Sequence, residues 1–147
     1  MHGCHFQILL VEDTESDVFL IREALTSAGL AFELQVLADG EKALDYVDAV
    51  ENDHAAALPS LLILDLNLPR VSGTQVLEQV RRSSRCAAIP VLVLTSSDSP
   101  KDKAEIASFS ATHYFRKSSR LNEFMSLGRV VRDLLENLPR STPTAAP

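Results

Sequence analysis

A chain of 147 residues with 46% hydrophobic content, 14 Lys+Arg against 20 Asp+Glu and a formal charge of -6 has the size and make-up of one globular domain. The acidic balance argues against a broad nucleic-acid or anionic-membrane surface, which needs clustered positive charge, and the apolar runs are strand-sized, too short to span a bilayer. The start, Met1 to His5, lacks the features of a secretory signal, and two cysteines, Cys4 and Cys86, cannot staple a fold of this size, so the expected setting is the reducing cytoplasm.

Ile8 to Val11 is a short, wholly apolar run that reads as a buried strand and stops at Glu12-Asp13. A helix is predicted from about Ser16 to Ala28, with Val18, Ile21 and Leu25 on one face. Thr14 and Asp17 stand in a loose capping-box spacing at its start, and Gly29 suits its end. Phe32 to Leu37 alternates as an edge strand would. Asp39-Gly40 turns the chain into a helix carrying Ala43, Leu44 and Val47, and residues 51–60 read as a long polar loop. Leu61 to Leu64 is a second apolar strand, ended by Asp65. Gly73 opens a helix with Val76, Leu77 and Val80 inward, and Val91 to Leu94 is a third apolar strand, ended by Thr95. A weaker helix follows over about Lys101 to Phe109, then a short strand from Thr112 to Arg116, ended by Lys117. The last helix is predicted as one piece from Leu121 to Leu138, with Phe124, Leu127, Val131, Leu134 and Leu138 as its core stripe. Residues 139–147 are rich in proline, threonine and alanine and read as a disordered tail behind a domain covering 1–138.

Strands alternating with helices predict an α/β fold, a doubly wound five-stranded parallel sheet with helices on both faces. Ligands of such sheets sit outside the carboxyl ends of the strands, at the switch point. Those ends carry Glu12, Asp13, Asp65, Thr95 and Lys117. Three clustered carboxylates repel one another unless a cation compensates, and an oxygen-only donor set suits a hard ion, Mg²⁺ best. A phosphate on that ion would find Thr95 as a hydroxyl donor and Lys117 as a point charge. A carboxylate can itself accept a phosphoryl group, and Asp65 on the central strand is the best placed. Each residue alone has a plainer use, as a turn, a cap or a surface charge. Their coincidence at every strand end around the switch point is what carries weight.

The set Leu10-Val11-Glu12-Asp13, the run Leu64 to Pro69 with Gly73, Thr95-Ser96 and Lys117 resembles the receiver domain of bacterial two-component response regulators, over about Gln7 to Leu138. The long loop before Asp65 and the Asp65-Leu66-Asn67-Leu68-Pro69-Arg70 run look like the stand-alone receivers paired with phytochrome-type histidine kinases. The handedness and strand order this implies is the flavodoxin-like 2-1-3-4-5. The resemblance implies that Asp65 accepts a phosphoryl group from a sensor histidine kinase. It further implies that Glu12, Asp13, Asp65 and the backbone carbonyl of Asn67 hold Mg²⁺, that Thr95 and Lys117 bind the phosphate, and that Tyr114 is the aromatic switch. Asn67 and Ser97 stand where the family tunes hydrolysis. Two positions depart from the pattern: Ser118 follows Lys117 where the family usually has proline, and Ser110 stands where glycine is common.

Other readings of the same residues were weighed. A flavodoxin-like cofactor binder needs a phosphate-cradling loop after the first strand, but residues 12–17 are acidic and lack glycine. A phosphatase with an aspartate nucleophile wants a second carboxylate two residues on, where this chain has Asn67. A degenerate receiver that binds a partner without phosphorylation is the alternative kept. Signalling is expected through phosphorylation-dependent contact with a downstream protein, since no output module follows the last helix. The apolar surplus on that helix predicts a homodimer through the fourth helix, fifth strand and last helix, with Phe124, Val130, Val131 and Leu134 at the interface.

Overall fold

A computed structural model describes residues 5–96, 99–108 and 113–137. Among them, strands β1 (Phe6–Val11), β2 (Phe32–Leu37), β3 (Leu61–Asp65), β4 (Val91–Thr95) and β5 (His113–Arg116) form one parallel sheet in the order β2-β1-β3-β4-β5. The helices are α1 (Glu15–Ser27), α2 (Gly40–Glu51), α3 (Gly73–Arg82), α4 (Pro100–Ser108), α5 (Leu121–Met125) and α6 (Leu127–Glu136). The expected α/β class and strand order are therefore found. Leu138, Ser97, Ser110, the start of the fifth strand at Thr112 and the tail 139–147 lie outside the described residues.

The central strands are apolar throughout because both sheet faces are covered. Leu9, Val11, Leu62, Leu64, Val91 and Val93 point into one core with α2, α3 and Ile106 of α4. Ile8, Leu10, Leu61, Ile63, Leu92 and Leu94 point into a second core with α1, α5 and α6. Each fully buried side chain of this kind contributes about 1.5–3 kcal/mol relative to exposure. Cys86 is buried in the first core. The β2 strand alternates half-buried and exposed positions, as an edge strand with one wet face should.

The helix ends follow local signals in some places and depart from them in others. The Asp39 side chain caps α2 by accepting from the Lys42 backbone N–H at 2.8 Å, and Gly29 ends α1 with φ +80°. Ser72 and Gln75 form a reciprocal capping box at α3 that the reading from Gly73 overlooked. The proposed box at α1 does not form: Thr14 occupies the N-cap without a side-chain bond, and Asp17 points elsewhere. The polar loop after α2 is clamped from a distance. The Arg85 guanidinium donates to the carbonyls of Val50, Asp53 and Ala56. In return Glu51 accepts from the Ser83 and Ser84 hydroxyls and the Arg85 backbone N–H, which hold its carboxyl well below the usual carboxylate range.

The last helix differs from its expected single piece. Ser126 separates α5 from α6, its hydroxyl donating to the Glu123 carbonyl at 2.6 Å and competing with the regular helical ladder. The core stripe correspondingly runs through Phe124, Leu127, Val131 and Leu135, whereas Leu134 is half-buried. Phe124 and Val131, expected at a dimer interface, are 4% and 0% exposed inside the chain's own core, so neither can reach a partner. Val130 is half-buried against the same core.

The α1–α6 contact is unusually close. A Cβ at Gly128 would overlap the Ala24 carbonyl of α1, while Arg132 donates to the Ala28 carbonyl at 3.0 Å and satisfies the end of α1. In a solvent-facing helix, replacing glycine by alanine gains up to about 1 kcal/mol. Here Gly128→Ala should instead lose about 1–3 kcal/mol through overpacking. The check is a urea transition whose midpoint falls with unchanged slope; a raised midpoint would show that the two helices do not meet so closely.

Candidate functional site

Parallel register brings the reacting groups together. Val11 pairs with Leu64, Asp65 with Leu94 and Thr95 with Arg116, so Glu12, Asp65, Thr95 and Lys117 follow one another along the carboxyl edge of the sheet. The Glu12 backbone N–H donates to the Leu37 carbonyl at 3.1 Å and the Lys117 N–H to the Thr95 carbonyl at 2.7 Å, which extends the ladder to both residues. Glu12, Asp65 and Thr95 are 1%, 2% and 1% exposed, while Asp13 faces solvent. Gly73 nests on the backbone behind Asp65: a Cβ there would overlap the Asp65 carbonyl oxygen, and its N–H donates to the Leu66 carbonyl at 3.1 Å. The chain between them turns through Arg70 at φ +62°, a conformation in which a non-glycine residue stores strain.

One ammonium group organises the carboxylates. Lys117 Nζ donates to Asp17 Oδ2 at 2.7 Å, to Glu12 Oε1 at 3.0 Å and to Asp65 Oδ2 at 3.0 Å. The other Asp65 oxygen, Oδ1, accepts from the Asn67 backbone N–H at 2.9 Å. Glu12 Oε2 accepts from the Thr14 N–H at 3.2 Å. Burial pushes the Glu12 carboxyl up to about 7, with the charge of Asp65 adding to the shift and Lys117 opposing it. Burial alone would lower the Lys117 ammonium, but its bonds to Asp17 and Glu12 and the charge of Asp65 outweigh that and raise it above its ordinary value.

Glu12, Asp13 and Asp65 each bring one oxygen within 4.8 Å of the others. Oxygen donors with no histidine or cysteine among them, and a pair of buried carboxylates with a third at the solvent edge, fit a hard divalent cation that keeps several waters. A bound ion would also add positive charge that opposes the effect of burial and of Asp65 on Glu12.

Of the residues expected at the site, Glu12, Asp13, Asp65, Asn67, Thr95 and Lys117 meet at this edge. Tyr114 lies on β5, half-buried against the first core, with Lys103 Nζ 5.6 Å from its ring centroid. Every peptide bond among the described residues is trans, Lys117–Ser118 included. Sequence reasoning missed two contacts. Asp17, read as part of a cap, is a partner of Lys117, and the Asn67 side-chain amide donates to the Ser96 hydroxyl at 3.1 Å across the mouth. Only the closeness of Asp17 in sequence to Glu12 and Asp13, in the first turn of α1, hinted at the first.

Comparison with known proteins bears on this geometry. The family described as the response regulator receiver domain matches residues 8–128. The probable methanogenesis regulatory protein FilR2 of Methanothrix harundinacea is 40% identical over 131 residues, covering 89% of this chain and 82% of its own. Response regulator Rcp1 of Synechocystis is 32% identical over 120 residues, 82% of each chain. Its Mn²⁺-bound crystal form superposes with a TM-score of 0.80 at 30% identity, covering 91% of this chain and 97% of that one. The phosphorylated cyanobacterial phytochrome response regulator RcpA superposes with a TM-score of 0.81 at 30% identity, over 91% and 96% of the two chains.

A buried carboxyl that titrates near 7 must lose its proton before it can ligate a metal. Apparent Mg²⁺ affinity should therefore rise as pH increases toward about 7 and level off above it, because Glu12 is protonated below that point. Calorimetry in buffers of different ionisation enthalpy should find proton release on binding at pH 6 and almost none at pH 8. Affinity that is flat across this range would contradict the raised Glu12.

Proposed function

This chain belongs to the response regulator receiver family, and we propose that it accepts a phosphoryl group on Asp65 from the phosphohistidine of a sensor kinase, with Mg²⁺ as the required ion. The observation that carries this reading is the placement of Asp65. Its carboxylate is 2% exposed at the sheet edge, with a lysine ammonium on one oxygen and a backbone N–H on the other. In the transfer one Asp65 oxygen attacks phosphorus, the P–N bond to the donor imidazole breaks, and the released imidazole takes up a proton.

Phosphoryl transfer needs positioning and charge neutralisation more than covalent help. Glu12, Asp13, Asp65 and the Asn67 carbonyl are the proposed metal ligands, and the ion would neutralise the oxygens of the transferred group. Lys117 already touches the carboxylate that changes, so its ammonium needs little motion to meet a phosphoryl oxygen. Thr95, buried at the end of the neighbouring strand β4, would offer its hydroxyl to another. Tyr114 on β5 would then carry the change to the α4–β5 face by shifting a two-state equilibrium. A downstream protein reading that face would complete the signal.

The likeness to a phytochrome response regulator supports a phytochrome-type kinase as the donor. A cytoplasmic setting agrees with the finding that no helix among the described residues is long and apolar enough to cross a membrane. We extend the proposal to a homodimer through α4, β5 and α6. Half-buried Val130 and Leu134 keep part of their apolar surface in solvent, and two-fold pairs are the commonest soluble oligomers.

Two measurements test these readings. Acetyl phosphate with Mg²⁺ should add one phosphoryl group by intact mass, and Asp65→Asn should abolish it. Undiminished labelling of that variant would remove Asp65 from the role. Light scattering at high concentration should find a dimer with a beryllofluoride phosphate mimic, and a monomer both with and without the mimic would rule the pairing out.

A further inference from the structure

Asp17 stands apart from the metal cluster yet makes the shortest of the bonds to Lys117, 2.7 Å against 3.0 Å for each of the other two carboxylates. An ammonium has three N–H donors, and all three are used here by three carboxylates. The partners are not equivalent. The side chains of Glu12 and Asp65 are 0% and 3% exposed and belong to the set that converges on a cation site, whereas Asp17 is 25% exposed and outside it. It occupies the first turn of α1, where a negative charge is favoured by the helix N-terminus, and nothing in that turn uses it as a cap.

We propose that Asp17 is a positioning residue that draws the Lys117 ammonium outward, so that its bonds to Glu12 and Asp65 can be given up to a divalent cation and then to a phosphoryl group. Without it, the ammonium has no counter-charge on the outer side, and its two 3.0 Å bonds to the buried carboxylates become harder to displace. The ammonium then competes with the cation for the same oxygens. With it, Lys117 can exchange its Asp65 bond for one to a phosphoryl oxygen while keeping Asp17. The role in phosphoryl transfer rests on the reading of Asp65 given above; the hold on Lys117 and its effect on cation binding do not.

The test is a double-mutant cycle between Asp17→Asn and Lys117→Ala, read first as the Mg²⁺ dissociation constant by calorimetry without any phosphodonor. Coupled pairs of this kind shift equilibria several-fold, so Asp17→Asn should weaken Mg²⁺ binding about fivefold with Lys117 present and less than about twofold in the Lys117→Ala background. Glu15→Gln, which removes an exposed charge from the same turn, should have less than about a twofold effect and sets the size of simple charge loss. Lys117→Gln replaces Lys117→Ala in the cycle if the latter does not fold. Equal weakening in both backgrounds, or none with Lys117 present, overturns the proposal. The second readout is labelling by acetyl phosphate at saturating Mg²⁺, where Asp17→Asn should slow the wild-type background and leave the Lys117→Ala background unchanged. Coupling in Mg²⁺ binding without any labelling of the wild type would refute Asp65 as acceptor and leave the hold on Lys117 standing.

Discussion

The site depends on one lysine ammonium standing among carboxylates that could not otherwise share a buried sheet edge. Isolated ionised carboxyls removed from water repel one another and take up protons. The raised Glu12 shows that this tendency survives even beside Lys117. A buried ion pair of this kind is weak evidence for stability, since desolvation offsets much of the attraction. Its use lies elsewhere. A cluster left short of positive charge suits a divalent cation, and on the proposed reading a phosphoryl group there would meet both that ion and the ammonium.

The sheet supplies the geometry that makes such a cluster possible. Parallel pairing aligns the ends of β1, β3, β4 and β5 at one edge, and each chain segment leaving that edge carries a polar side chain of the site. Two close backbone contacts fix that edge. Gly73 lies against the Asp65 carbonyl, so the start of α3 and the end of β3 share one position. Gly128 lets α6 settle onto α1, the helix that carries Asp17, and Arg132 closes the end of α1. The position of Asp17 relative to Lys117 is thus set by helix packing on the far face of the sheet.

The same geometry separates the alternatives that share this fold. A cofactor phosphate entering over β1 would face Glu12, Asp13 and Asp17, an arrangement that repels an anion in the absence of a cation. An aspartate-nucleophile phosphatase would carry its acid or base two residues beyond the nucleophile, and the residue at that position is Asn67, engaged with Ser96. An intact set of carboxylates around Lys117 also speaks against a receiver that has lost its phosphorylation chemistry.

The apolar runs at Ile8–Val11, Leu61–Leu64 and Val91–Leu94 marked the number and type of the central strands, because only a strand covered on both faces needs to be apolar at every position, while their order came from the family resemblance. The polar residue that ends each run was legible for the same reason, and with it most of the site. What followed from periodicity in the last helix was less secure. A stripe through Leu134 and one through Leu135 both fit a helical repeat, and the choice was made by Ser126 and the approach of Gly128 to α1. Phe124 and Val131 belong to both stripes and are buried, which removes them from the interface also expected of them. The Arg85–Glu51 clamp and the Asp17–Lys117 bond join residues 29 to 35 and 100 positions apart. No local pattern encodes such pairs: a charged residue on a helix looks the same whether it faces water or an ammonium group. The sequence determined which groups stand at the strand ends. Only the packing of α1 against the sheet decided that Asp17 would join them, because a helix's rotation about its axis is set by the side chains beneath it.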